Sequence, residues 1–376
     1  MSNKKRMTSP ISSVGTDVEK SLPQNALHII SKHREQSNPQ LKPAASYHLK
    51  TISMTALYDA VYPPRAPIID NLLYAGTYLF VGAPKIGKSF FMAQLSYHVS
   101  MGLPLWDYPV HKGTVLYLAL EDDYARLQKR LSQMFGIESS DNLLFSTQAN
   151  TLHEGLENQL DAFMQNHPDT RLIIIDTLQK IRERYNEHYS YANDYNIVTK
   201  LKSFSDKHNL CLLIVHHTRK MESNDSFDMI SGTNGLLGAA DGAFIMQKKK
   251  RTDATATIDI VGRDQQDQRL TLSFDRNHCI WLLSKAETEL WRAPPDPILE
   301  EISKLFSSET TQWIGTASEL ISLLSGVDLQ PNVFTRKLNV STERLYNEYG
   351  IHYENKRTHD GRMLSFTKIS NARDDT

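Results

Sequence analysis

Gly82-Ala83-Pro84-Lys85-Ile86-Gly87-Lys88-Ser89 fits the pattern G-x-x-x-x-G-K-[ST] at every required position. The residues before it, Tyr78 to Val81, read as a short buried strand, and Phe90 to Ser100 after it carry apolar residues at helical spacing. Strand, glycine-bearing loop and helix is the context in which this pattern holds phosphate. Gly82 and Gly87 let the backbone curl so that successive N–H groups converge on an anion, and the following helix adds its positive amino end. In that geometry Lys88 reaches the β- and γ-phosphates as a point charge, and the Ser89 hydroxyl completes a Mg²⁺ shell. The expected nucleotide-binding set is therefore Gly82, Ala83, Pro84, Lys85, Ile86, Gly87, Lys88, Ser89 and Phe90.

Strand and helix patterns alternate outward from this loop. Strands are expected at 114–120, 143–146, 171–175 and 210–215, with helices at 89–101, 123–135, 153–166 and 192–208 between them. That alternation predicts an α/β fold: a mostly parallel twisted sheet with helices on both faces. Four further strands at 242–246, 254–261, 270–274 and 280–283 predict an antiparallel extension, and Pro294-Pro295 with Pro297 marks a boundary. Residues 1–50 are rich in Ser, Asn, Gln, Lys and Pro and read as a flexible arm with one short helix near 26–30. The main domain is placed at 51–290, and a capped helix is expected at its start over 53–57.

The 376 residues, 40% apolar and 23% charged, have the composition of a globular chain long enough for two domains. No run approaches the roughly 18 apolar residues of a membrane span, and the basic start, Met1 to Arg6, leads into polar sequence. Cys211 and Cys279 each lie in an apolar stretch and read as buried strand residues, which suits a reducing cytoplasm. A formal net charge of −1 provides no bulk attraction to nucleic acid, so such binding must come from local patches.

Hydrolysis needs a metal-orienting carboxylate and a group that positions water. Asp176 ends the run Ile173-Ile-Ile-Asp176-Thr177, as a Walker B acid does on a strand next to the phosphate-loop strand; a helix N-cap is the alternative. Glu121-Asp122-Asp123 follows strand 114–120. Glu121 is the expected general base if that strand lies beside the loop strand; all three acids capping helix 123–135 is the plainer reading. His216 and His217 close strand 210–215, where either would sense a γ-phosphate or sit as a core histidine; as neighbours on a strand they point opposite ways.

Gly-Ala-Pro-Lys-Ile-Gly-Lys-Ser, Val-Leu-Tyr-Leu-Ala-Leu-Glu-Asp, Leu-Ile-Ile-Ile-Asp-Thr-Leu and Leu-Ile-Val-His-His-Thr-Arg-Lys occur in this order. Together they resemble RecA-fold ATPases of the RepA-type hexameric helicase group, akin to DnaB-type and KaiC-type ATPases, over roughly residues 52–285. The resemblance implies a RecA-like P-loop core, a homo-oligomeric, hexameric ring with ATP and Mg²⁺ at its subunit junctions, and single-stranded DNA and replication proteins as partners. It also implies that Lys88 and Ser89 bind phosphate and metal, that Glu121 is catalytic and that Asp176 is the Walker B acid. Relatives of this kind are often encoded by phages, plasmids and mobile elements. By the same resemblance, Ser223 to Gly238, with Lys220 and Phe227, faces a central channel and touches DNA; a mobile surface loop is the alternative. Arg263 matches an arginine finger serving a neighbouring subunit, or else pairs with Asp264 or Asp267.

Residues 296–371 look like a small C-terminal winged-helix domain. Asp296 caps a helix over 297–307 with Ile298, Ile302, Leu305 and Phe306 on one face, and Thr316 with Glu319 forms a capping box. A helical stretch over 332–349 carries Arg336, Lys337 and Arg344, and a hairpin turning at 359–361 carries Lys356, Arg357 and Arg362. From 295 to 376, 9 Lys and Arg stand against 12 Asp and Glu, which weakens a general affinity for DNA and leaves protein contacts as the alternative.

Overall fold

The computed structural model describes residues 49, 51–182, 191–217, 234–250, 252–263, 266–288, 294–307, 310–358 and 361–369. The arm expected over 1–50, with its short helix, lies outside them apart from residue 49. The chain divides into two compact units, Met1–Leu57 and Tyr58–Thr376. At the start of helix α1 (Met54–Asp59) the Ser53 hydroxyl accepts the Ala56 N–H as its cap.

In the second unit the short hairpin β1 (Pro67–Ile69) and β2 (Leu73–Tyr74), absent from the sequence reading, precedes the loop strand β3 (Gly76–Gly82). There follow α2 (Lys88–Met101), β4 (Thr114–Ala119), α3 (Tyr124–Phe135), β5 (Leu143–Ser146), α4 (Leu156–Asn166) and β6 (Thr170–Asp176). After them come α5 (Leu178–Ile181), α6 (Tyr191–His208), β7 (Cys211–His217), α7 (Asn234–Ala239) and β8 (Gly242–Gln247). The antiparallel extension is β9 (Thr255–Gly262), β10 (Gln268–Asp275) and β11 (Ile280–Thr288). One sheet takes all but the first hairpin of these strands, in the order β11-β10-β9-β8-β3-β7-β6-β4-β5, and its run from β8 to β5 is parallel.

The uninterrupted apolar strands are explained by burial on both faces. On β3, Tyr78 and Phe80 enter one core beneath α2, while Leu79 and Val81 enter the other beneath α4 and α6. On β6, Leu172 and Ile174 alternate in the same way with Ile173 and Ile175. Buried Asp241 ties this together at the sheet's amino edge, accepting the Thr77 N–H at 2.9 Å and the Lys202 ammonium at 2.5 Å.

Two expectations about neighbours are corrected. Neither the Asp176 strand nor strand 114–120 lies beside the phosphate-loop strand: β7 is inserted between β3 and β6, and β4 lies beyond β6. Apolar runs of equal strength carry no information on their order. Cys211 is a buried strand residue as expected, whereas Cys279 is buried in the turn before β11 with φ 55°.

The C-terminal segment has its own core. Helix α8 (Pro297–Lys304), strand β12 (Gln312–Gly315), helices α9 (Ala317–Leu323), α10 (Pro331–Val340) and α11 (Thr342–Tyr349), and hairpin β13 (Ile351–Thr358) and β14 (Gly361–Lys368) surround it, with sheet order β12-β14-β13. Asp296 caps α8, and Thr316 and Glu319 form the reciprocal capping box. The fully buried residues of α8 are Leu299 and Ile302, while Ile298 and Leu305 pack at its margin; the helical reading missed Leu299. The single stretch expected over 332–349 is two helices joined at Ser341.

Candidate nucleotide-phosphate site

The loop leaves β3 at Gly82 and enters α2 at Lys88. A Cβ on Gly82 would stand 2.7 Å from the Met246 carbonyl, so no larger residue fits there. Gly87, the N-cap, has φ 104°, a left-handed conformation natural to glycine, and no side chain among the described residues caps the helix. The first N–H groups of α2 are thus left for an anion.

Lys88 is only 4% exposed. Its ammonium donates to the Gly82 and Ala83 carbonyls at 2.8 Å each and lies 2.9 Å from His217 Nδ1. Burial lowers its pKa to about 8, against the opposing pull of Asp176 and Glu121. The Ser89 hydroxyl and the buried Tyr117 phenol both donate to Asp176 Oδ2 at 2.9 Å. Burial raises the Asp176 pKa, and the two donated bonds oppose that rise. Asp176 is therefore brought to Ser89 despite the intervening strand, and it caps no helix: the short α5 starts from Thr177.

Glu121 accepts the Thr177 hydroxyl at 3.1 Å, and its second oxygen lies 3.6 Å from His217 Nε2. The three acids divide their work. Asp123 caps α3 by accepting the Arg126 N–H at 2.8 Å, Asp122 pairs with Arg126 and Arg130, and Glu121 is left facing the loop. The two histidines separate as well. His217 sits in register with Gly82 beside Lys88, while burial, followed by the charges of Arg182, His217 and Lys88, depresses the His216 pKa to about 4.

A cavity of about 560 Å³ extends from the loop. Beyond the phosphate end its walls are Phe90, Arg130, Lys248, Phe274 and Trp281. Arg130 lies over Phe90 at 5.3 Å, Phe90 meets Phe274 edge-on at 5.6 Å, and Lys248 stands 5.0 Å over Trp281. Sequence reading found Phe90 but missed the other four walls and Tyr117. Their strands were visible, but which face met the loop depends on the pairing of residues far apart in sequence.

Arg263 does not join this cluster. Gly262 pairs with Gly242 and Gly242 with Tyr78, so Arg263 follows at the opposite edge of the sheet, roughly 13 Å of strand from Gly82. Its guanidinium donates to the Gly238 carbonyl at 2.5 Å. Lys220, Phe227 and 223–233 of the expected DNA loop lie outside the described residues; the loop's last part is helix α7. Among the described residues no group of three or more His, Cys, Asp or Glu side chains is disposed to hold a metal, and no helix is long and apolar enough to cross a membrane.

Residues 43–223 match the family model described as AAA domain. No curated protein matches the sequence. Among solved structures the chain is similar to one described as an ATPase domain, with TM-score 0.47 and 13% identity over 69% of this chain and 98% of that one. It is similar also to a DnaB-like replicative helicase described with its interactions with primase, with TM-score 0.46 and 12% identity over 71% of this chain and 68% of that one. Loop, strand order and domain match together make this a P-loop chain of RecA-like fold, similar over residues 43–223 to AAA domains.

Proposed function

We propose that the chain is the Mg²⁺-dependent, ATP-hydrolysing subunit of a hexameric motor, a replicative helicase or translocase acting on single-stranded DNA in a mobile genetic element. The observation that carries the hydrolytic reading is Glu121, a carboxylate held by Thr177 in the same cavity as Lys88 and Ser89. The loop's N–H groups and the Lys88 ammonium bind and orient the phosphates, which draw Lys88 away from the two carbonyls it now satisfies. Glu121 takes the proton of the attacking water, and His217, bridging Lys88 and Glu121, senses the distal phosphate. Ser89 and Asp176 offer hard oxygen ligands suited to Mg²⁺, which when bound supplies charge neutralisation on the phosphate oxygens. Phe274 and Lys248 provide a face for the base. The helicase assignment rests on the resemblance of the four motif segments, and Arg263 in this reading serves a neighbouring subunit.

Glu121→Gln should bind MgATP with wild-type affinity yet lose turnover by about 10²–10⁴-fold. Undiminished turnover would remove Glu121 from the mechanism. ATP-dependent displacement of a forked duplex tests the motor, and turnover without unwinding would favour a second reading, an ATP-switched recruitment module.

One observation favours that second reading. The C-terminal order of helix, strand, helices and hairpin, with its first strand paired to its last, supports a winged-helix-like unit. Several of its basic residues are nonetheless engaged internally: Arg336 and Arg362 with Asp59, Lys337 with Asp296, Arg344 with Glu348, and Lys356 with Glu354. Cations held this way are poorly placed for phosphate contacts, which supports a protein partner for this unit.

A further inference from the structure

Trp281 is fully buried and, among the described residues, is the largest side chain to be so. Its main chain is fastened on both sides: the N–H donates to Gln94 Oε1 at 2.8 Å, and the carbonyl accepts Gln94 Nε2 at 2.9 Å and Trp106 Nε1 at 2.8 Å. Gln94 belongs to α2, so strand β11 and the helix behind the phosphate loop are clamped together. The indole then reaches the loop itself. Its Nε1–H donates to the Gly87 carbonyl at 3.2 Å, and its ring lies where a Gly87 Cβ would be, 2.7 Å from Cζ2.

The Gly87 carbonyl and the Lys88 N–H belong to one peptide plane. In a trans peptide they point in opposite directions, so whatever holds the carbonyl also aims the N–H. Glycine at φ 104° lacks the side chain that would hinder rotation of that plane. The Gly87 carbonyl accepts the indole N–H and also the Phe91 N–H at 3.2 Å, so two donors hold that peptide plane.

Resting on the phosphate-site reading above, we propose that Trp281 is a positioning residue that fixes the Gly87–Lys88 peptide with its N–H aimed at bound phosphate. Although Trp281 also walls the cavity, in this proposal it acts through Gly87, and its effect is on phosphate rather than base.

The test compares MgATP with magnesium tripolyphosphate, which has the phosphates and no base, by titration calorimetry on wild type and Trp281→Phe. The variant keeps an aromatic ring and loses the N–H; circular dichroism fixes a temperature at which both proteins are fully folded. Loss of one aimed hydrogen bond and its peptide should weaken both ligands together, by roughly tenfold. In wild type, the Trp281 indole N–H resonance, assigned by its disappearance in Trp281→Phe, should shift when tripolyphosphate binds. Equal affinities in folded variant and wild type would overturn the proposal, as would a loss confined to ATP, which would make the ring a base contact. If Trp281→Phe does not fold, Gln94→Met removes both Gln94 bonds to the Trp281 main chain while retaining the indole and the Trp106 bond, and should weaken both ligands by about threefold; no weakening refutes the clamp. Wild type that binds neither ligand would instead refute the phosphate site.

Discussion

Replacing Lys88 by methionine should make the nucleotide-free protein more stable while abolishing phosphate binding. The lysine is almost wholly buried, and its pKa falls from 10.5 to about 8. At 1.36 kcal/mol per unit, keeping that ammonium charged at pH 7 costs roughly 3 kcal/mol of folding free energy. Methionine fills similar space without the charge. It also deprives the Gly82 and Ala83 carbonyls of their donor, which offsets about 1 kcal/mol of the gain. The net gain of about 2 kcal/mol corresponds to a melting midpoint higher by about 3 °C for a chain of this size. The sign of the pH dependence follows from the depressed lysine. Between pH 8 and 10.5 the unfolded chain binds more protons than the folded one, so wild-type stability rises with pH while the methionine variant has no such term. By pH 9.5 the gap should close by about 2 kcal/mol. Scanning calorimetry without nucleotide at pH 7 and pH 9.5 measures both quantities. A variant that melts below wild type at pH 7, or a gap that widens with pH, would refute the account of Lys88 as a charge held at a cost to stability.

Two further predictions concern groups outside the phosphate loop. His216, depressed to about 4 by burial, must stay neutral in the fold, so wild type should lose stability as pH falls from 6.5 towards 4. Between pH 7.5 and 5 it should lose about 2 kcal/mol more than His216→Asn, read from urea unfolding; parallel losses would exclude the histidine as the cause. Asn339, buried in the C-terminal unit, donates to the Tyr58 carbonyl at 2.9 Å and accepts the Tyr353 phenol at 2.9 Å. Asn339→Ala should destabilise by about 2–4 kcal/mol while leaving MgATP affinity unchanged; a melting midpoint within about 1 °C of wild type, roughly the shift of half a kcal/mol, would sink that estimate.

What the sequence reveals is what local pattern encodes. The phosphate loop, the Asp176 and Glu121 strand ends, the Asp296 and Thr316 caps and the C-terminal hairpin each depend on residues a few positions apart, and each is found where expected. Strand order is different. Residues 173–175 and 212–215 are equally apolar, and only three-dimensional packing puts β7 next to β3 and leaves Asp176 reaching Ser89 from one strand further away. The far wall of the cavity was illegible for the same reason: Trp281 meets Gly87 across 194 positions, and nothing near either residue announces the other. Short elements also escaped notice. Helix α5 and strand β12, each of 4 residues, lack the run of consecutive apolar residues that marks β5 at the same length.

The central place of β3 has a consequence for biosynthesis. Its partners on either side are β7 and β8, whose residues leave the ribosome more than 125 positions later. Until Gln247 has emerged, the nascent chain carries a strand of Tyr, Leu, Phe and Val whose two edges are not yet both paired. Such a segment is a target for chaperones and a hazard for aggregation, and fragments ending before β8 should be insoluble. Competence to hold a nucleotide is thus acquired late in translation, although the loop itself is made early.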